Sequence, residues 1–466
     1  FGVIKVGPGT LEYAGVTDNT YDGLTQVNEG TLLLNMAVGR MPLQGDLTVG
    51  DNVGAADTAV VRLATGNPDQ IPDFSFTTVN ADGLLDLGGE NETIDEVEVQ
   101  GGHITTGAAT FTADTILSQD GEIDVAGGLL RATRSLEMFD GRVFLIGSGV
   151  ANVTGLRMTG GTFALGGATA KVILAGDVFA TSSATPRAAI FTGVGVVDLG
   201  GATRTFTVVD GPQQGLADLV FNSSITGSGG AGLIKAGNGM LRIDSTANSY
   251  TGVSRIDDGI LMVLGTIGDV RLRGGTLGGI GAVGNVTADP DLGGLVAPGQ
   301  SPGTLHSSSN VTWNRMVTFF VELNAPATPG VTYDVFDVAG TLNLGLAKLD
   351  GDLGPALVIN DSFTIITADT IVGQFASGLF AFIDGKKFGV QYNQNPFGPD
   401  SVVITRIKNV AAVDTVSSVN PSVFGQDVTF TATVTPEPNT TLLPGSFVNF
   451  ELTGPTIPVG TPILFS

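Results

Sequence analysis

The chain has 466 residues, of which 69 are glycine and only 14% are charged, well below the roughly 25% of an average globular protein. Its formal net charge of −24 repels phosphate backbones and anionic lipid surfaces, which argues against nucleic-acid and membrane-surface partners. No cysteine is present, so disulfide and thiolate chemistry are excluded, and no run of about 18 apolar residues exists to span a membrane as a helix. The length exceeds one ordinary domain and fits an elongated repeat body with an added module.

Taken in chain order, the first recognisable unit is residues 5–39, which recurs at 235–268. Lys5, Gly7, Gly9 and Leu11 align with Lys235, Gly237, Gly239 and Leu241. After a one-residue deletion, Asn19, Tyr21, Gly23, Gly30 and Gly39 align with Asn248, Tyr250, Gly252, Gly259 and Gly268. Each copy alternates apolar and polar residues in short segments (Thr10 to Tyr13, Leu24 to Val27, Thr31 to Leu34) separated by Asx and glycine turns. Period-two alternation buries one face of each strand. Strands this short cannot bury that face alone, whereas stacked coils can share it. The same texture fills the stretch between the copies, as in Gly83 to Gly88, Gly121 to Gly127 and Gly160 to Gly166, and no helical period interrupts it. The expected fold is all-β: a parallel β-solenoid with coils of about 22 residues, giving about 18 coils over 1–408 and a rod of about 85 Å.

The texture changes at 409–414, expected as a linker. Beyond it, Asp427 to Thr435 and Ser446 to Leu452 read as strands separated by the turn Pro436 to Asn439. An immunoglobulin-like sandwich needs about 100 residues. Residues 415–466 therefore read as an incomplete one. The expected organisation is a β-helix over 1–305, a more irregular or capping end at 306–408, the linker, and this partial module.

The unit K-x-G-x-G-x-L…N-x-Y-x-G…G-x-L resembles the autotransporter-associated β-strand repeat. The stretch 274–305 is similar to the segment that follows such repeats in bacterial autotransporter passengers. Tyr333 to Leu342, Asp361 to Ile366 and Pro399 to Thr405 continue the likeness, and 415–466 resembles the first half of a bacterial Ig-like repeat. The resemblance implies a right-handed parallel β-helix exported to the cell surface.

Candidate chemistry is sparse. Gly279 to Gly284 spells a dinucleotide-binding fingerprint, but no helix is expected after it, so a solenoid turn is the reading. Gly299 to Gly303 spells a nucleophile elbow. There Pro302 follows Ser301 and lacks the N–H that an oxyanion hole needs. His103 and His306 are the two histidines, neither in a triad-like pattern. Asp257/Asp258, Asp289/Asp291 and Asp350/Asp352 are read as solvated turn acids. Calcium at acidic turns fits the charge, with no position assigned, and no other cofactor is expected. One tryptophan (Trp313) and five tyrosines stand against 25 phenylalanines, so most rings are expected in the core. Tyr21 and Tyr250 are expected to be structural.

Phe1 begins no leader peptide and lies within a repeat, and Ser466 falls within the sandwich pattern. Two expectations follow: a longer polypeptide, or subunits that complete one another through open strand edges. The expected function is that of a non-enzymatic, extracellular structural or adhesive surface rod, with head-to-tail assembly into a filament following only from the second of these two expectations. Its expected partners are further copies, surface glycans or neighbouring cells. The alternative is a β-helical protein that binds or degrades polysaccharide, which needs carboxylates, basic residues and aromatics gathered in one groove.

Overall fold

The structure is a computed structural model that describes residues 1–184, 187–212, 215–408, 412–423 and 425–435. Among these residues every regular element is a β-strand. Two large sheets of 26 and 16 strands carry the body, parallel except for three antiparallel strands of the larger one, Phe380–Ile383, Lys386–Asn393 and Asp400–Arg406. The fold is thus the all-β parallel solenoid expected from the alternation.

Coils stack in register. Leu11 pairs with Leu32, Leu32 with Val61, Val61 with Leu85, and Leu85 with Ile104. Each of these inward positions from Leu32 onward is inaccessible to solvent. The polar residues between them face outward, which is the period-two pattern made physical. From Val150 onward a coil gives the larger sheet two short strands, such as Val150–Val153 and Leu156–Thr159, both paired to the long strand Leu129–Phe139. Corners need left-handed backbone, and they stack too. Gly101, Asp120, Asp140 and Gly160 occupy successive turns with φ of 71°, 53°, 54° and 64°. Glycine and aspartate tolerate that region best.

The coils are less uniform than the expected repeat. On the 16-stranded sheet the step from one inward position to its partner runs from 16 residues (Val263 to Gly279) to 30 (Phe191 to Phe221). Longer turns, such as the one between Val49 and Ala59, lengthen coils while the strand pairing continues. Sixteen strands at ~4.8 Å span about 70 Å, shorter than the length expected from a constant period.

Aromatic rings stack down the core. Phe163, Phe191 and Phe221 are register partners with ring centroids 5.2 and 4.7 Å apart and planes within 6° and 2°. A ring in such a stack contributes about 0.5–1.5 kcal/mol beyond its area. Phe191→Leu is therefore expected to lower the unfolding free energy by about 1–2 kcal/mol in urea titrations. An unchanged midpoint would refute the stacking contribution.

The solenoid ends in antiparallel strands. Ser362–Val372 still runs parallel to Val335–Asn343, but it also pairs antiparallel with Asp400–Arg406. Lys386–Asn393 and Phe380–Ile383 complete this meander. Its inward residues Phe363, Ile365, Phe388 and Ile404 are buried and close the apolar column. Further on, Ala412–Ser417 pairs antiparallel with Phe430–Thr435. Part of the segment expected as a linker is therefore a strand, because its alternation continues to Ser417. The expected strand Ser446 to Leu452 lies outside the described residues.

Candidate functional site

The repeat signature resolves into one stereochemical device that appears twice. Lys5 Nζ donates to the carbonyls of Gly7 at 2.5 Å, Glu29 at 2.8 Å and Val6 at 3.3 Å. Lys235 Nζ donates to those of Gly237 at 2.5 Å, Ala236 at 3.0 Å and Asp258 at 3.0 Å. Each ammonium thus ties its own turn to the turn one coil later. Both lysines are buried, Lys235 completely. Burial pushes the Lys235 amine down to about 8, an effect that the nearby Asp258 and Asp218 carboxylates oppose.

The paired glycine is forced by the same contact. Gly30 and Gly259 sit at φ 74° and 62°. A Cβ on Gly259 would stand 2.4 Å from the Gly237 oxygen, 2.5 Å from the Gly239 oxygen and 2.6 Å from Lys235 Nζ. On Gly30 it would meet the oxygens of Gly7 and Gly9 at 2.5 Å. Gly7 and Gly237 are left-handed themselves. Gly239 approaches the preceding coil, where a Cβ would stand 2.6 Å from the Val209 carbonyl carbon, whereas Gly9 has nothing within 4 Å.

Of the other repeat positions, the asparagines bridge coils and the tyrosines brace their own coil. Asn19 Nδ2 donates to the Pro42 carbonyl at 2.8 Å, and Asn248 Nδ2 to that of Thr266 at 2.9 Å. Tyr21 and Tyr250 hydroxyls share hydrogen bonds with Thr25 Oγ1 and Ser254 Oγ at 2.7 and 2.6 Å. Leu241 is fully buried, while Leu11 is half-buried and packs against the core. Gly23 and Gly252 each abut backbone of a neighbouring coil. Removing one hydroxyl by Tyr250→Phe leaves Ser254 without its partner. The expected cost is about 1 kcal/mol in chemical unfolding, and Tyr21→Phe, in a more open site, should cost less.

The remaining candidates fall out as structure. In the Gly279 to Gly284 run, a Cβ on Gly279 or Gly281 would lie 1.9 or 2.1 Å from a backbone oxygen of the previous coil. Close coil stacking explains these glycines. Ser301 sits in a turn at φ 72°, and Gly303 N donates to the buried Asp334 carboxylate at 2.8 Å. His103 lies 3.5 Å from both Asp57 and Asp124, and His306 Nδ1 lies 3.1 Å from Asp337.

Two of the turn aspartates are engaged in a network: Asp257 with Arg255 and Arg273, and Asp289 with Arg271 and Arg273. Asp350 pairs with Lys348. Among the described residues no group of three or more His, Asp or Glu is placed to hold a metal. Trp313 is buried, its ring 5.6 Å from that of Phe336.

Three buried acids carry no sequence signal. Asp218 accepts from Ser182 Oγ, Gly211 N and Met240 N, pinning an insertion to the next coil. Glu92 accepts from the backbone N–H groups of Gln70, Ile71 and Thr93. Asp334 accepts from those of Gly303 and Glu322. Burial pushes Glu92 up to about 8 and Asp334 up to about 7.

Two stretches of this chain, residues 3–34 and 233–263, match the family model described as passenger-associated-transport-repeat. The match covers the lysine–glycine device in both copies. The expected resemblance to autotransporter passenger repeats holds at these two places. No curated protein matches the chain. Among solved structures, the chain is similar to the crystal structure of the Haemophilus influenzae Hap adhesin, at 12% identity and a TM-score of 0.28. That alignment covers 87% of this chain and 57% of the other, so the chain spans just over half the length of that structure.

Proposed function

We propose that this chain is part of an extracellular, surface-exposed rod of the autotransporter passenger type, with a structural and adhesive role. The observation that carries the reading is the passenger-repeat signature at 3–34 and 233–263, set in one continuous parallel solenoid. A solenoid presents a long, repetitive outer face, which suits contact with an extended surface. The acidic surface keeps such rods apart in solution. No catalytic residue or cofactor is assigned.

The finer reading is self-association through strand edges. Thr10–Gly15 pairs on one side only, with Gly30–Met36, and its residues are exposed or half-buried. A head-to-tail contact would set this edge against the antiparallel meander that closes the other end.

Beads coated with the purified chain test the adhesive role. Retention on cells or on immobilised extracellular polysaccharide should exceed that of albumin-coated beads several-fold. Equal retention on every surface would overturn the adhesive role. Electron microscopy of the same material tests assembly: filaments with a regular axial repeat support it, and isolated rods of about 70 Å refute it.

A further inference from the structure

Over its first half the outer face of the 16-stranded sheet mixes apolar residues such as Leu33, Val60 and Leu84 with charged ones. There Arg62 pairs with Asp86 at 2.6 Å, and Glu122 with Arg142 at 3.3 Å. Between Met240 and Phe320 apolar residues predominate on the same face, with Arg242 and Thr276 interspersed. Register sets Arg242, Met262, Gly278 and Ala297 side by side on successive strands, and Phe320 follows at the next step. These residues point outward, because their neighbours Leu241, Leu261, Leu277, Val296 and Phe319 are buried. A second outward row runs through Met240, Ile260, Thr276 and Leu295.

The two smallest residues, Gly278 and Ala297, form the floor between Met262 and Phe320. The result is a groove of about 520 Å³, flanked by the turns at 215–217 and 299–301. Leu216 on one rim is 56% exposed. The buried Asp334 carboxylate holds the other wall, through Gly303 N and Glu322 N. Apolar side chains gathered in a groove on a solvent-facing sheet offer a surface that a ligand of matching shape can cover.

The charges around the groove select what covers it. At one end Arg242 is neutralised by a bidentate pair with Asp244 at 2.9 and 2.8 Å. At the other end Glu322 shares the outward row of Phe320, and register places Asp352 beside it. Among the described residues no cation of this chain pairs with Glu322 or Asp352. The groove is thus mainly apolar, with Thr276, Gln300 and Ser301 also on its walls, and anionic at one end. The apolar part of its lining is thioether and aliphatic with one phenyl ring, whereas sugar sites favour rings with a polar tip. The four steps from Arg242 to Phe320 measure about 19 Å, the length of about six extended residues.

We propose that this groove binds an extended segment of a partner protein in which apolar side chains lead to a lysine or arginine. The apolar side chains seat over Gly278 and Ala297 between Met262 and Phe320, and the cation pairs with Glu322 and Asp352. The proposal concerns one patch of the rod and does not require the adhesive reading.

The test uses the whole chain and a labelled hexapeptide of alternating leucine and threonine ending in two lysines, followed by fluorescence anisotropy. A twin ending in two glutamates is the control. The lysine peptide should bind at least ten-fold more tightly than its twin. Ala297→Phe, which fills the floor, should weaken it at least ten-fold. Glu322→Gln with Asp352→Asn should abolish the discrimination between the peptides while leaving the β-rich circular dichroism spectrum unchanged. Equal binding of both peptides, no binding of the lysine peptide, or indifference to both sets of substitutions would overturn the proposal. Displacement of the peptide by an uncharged oligosaccharide would assign the groove to sugar and overturn it as well. Bead retention is read separately, so either result stands without the other.

Discussion

Gly259→Val is expected to destabilise the protein by about 4 kcal/mol or more, enough to melt the coils around residue 259 before the rest of the rod. Two costs combine. A β-branched residue at φ 62° occupies a backbone region that side chains other than glycine strongly disfavour. Its Cβ would also overlap the oxygens of Gly237 and Gly239 and displace the Lys235 ammonium. The displaced lysine would leave the carbonyls of Ala236, Gly237 and Asp258 without its hydrogen bonds. An unsatisfied buried polar group costs about 1–3 kcal/mol.

Two substitutions in the first repeat calibrate the effect. Gly9→Ala meets nothing within 4 Å and should be nearly neutral. Gly7→Ala, at φ 78° in open space, should cost about 1 kcal/mol. Urea unfolding followed by circular dichroism, with limited proteolysis to locate the opened coil, measures all three. A Gly259→Val protein as stable as Gly9→Ala would show that the clamp contributes nothing.

Stability should fall as pH rises from about 4 to about 8, then recover toward pH 10.5. Glu92 and Asp334 are buried acids whose folded pKa values, about 8 and about 7, lie above those of an unfolded chain. For each, the folded state binds its proton more tightly. Their contribution is therefore complete below pH 4 and is lost as pH rises through the folded value. Asp69 near Glu92 and Glu322 near Asp334 push in the same direction. Each acid should account for on the order of 3 kcal/mol.

Lys235 works the other way. Its folded value of about 8 lies below the ordinary 10.5, so its contribution is present above pH 10.5 and lost as pH falls through 8. The expected minimum lies near pH 8. Glu92→Gln should flatten the acid-to-neutral slope and raise the melting temperature at pH 8. A melting temperature that does not change between pH 5 and 8, in wild type and variant alike, would refute the assignment.

How much of this was legible depended on the range of each interaction. The alternation Thr31 to Leu34 states which residues face inward, because pleat geometry is local. The glycines of the repeat could be read as structural, since two copies placed them identically. Lys5 and Lys235 aligned just as well, yet their role stayed hidden. Nothing in a lysine's neighbours along the chain says that its ammonium will meet a carbonyl 23 or 24 residues on. Glu92, Asp218 and Asp334 gave no signal, because most of the N–H groups they accept from lie about a coil away in the chain.

The sequence by itself determined a stack of short parallel strands with apolar residues inside, because alternation and glycine turns act within a few residues. It also carried the passenger-repeat signature at both places. Only the tertiary structure decided which coil residue meets which. Coils here differ in length by up to 14 residues, from 16 to 30. A residue's neighbour one coil away is therefore set by how the whole column packs, and not by any fixed period. The lysine clamp, the buried acids and the groove between Met262 and Phe320 all arise from that inter-coil register.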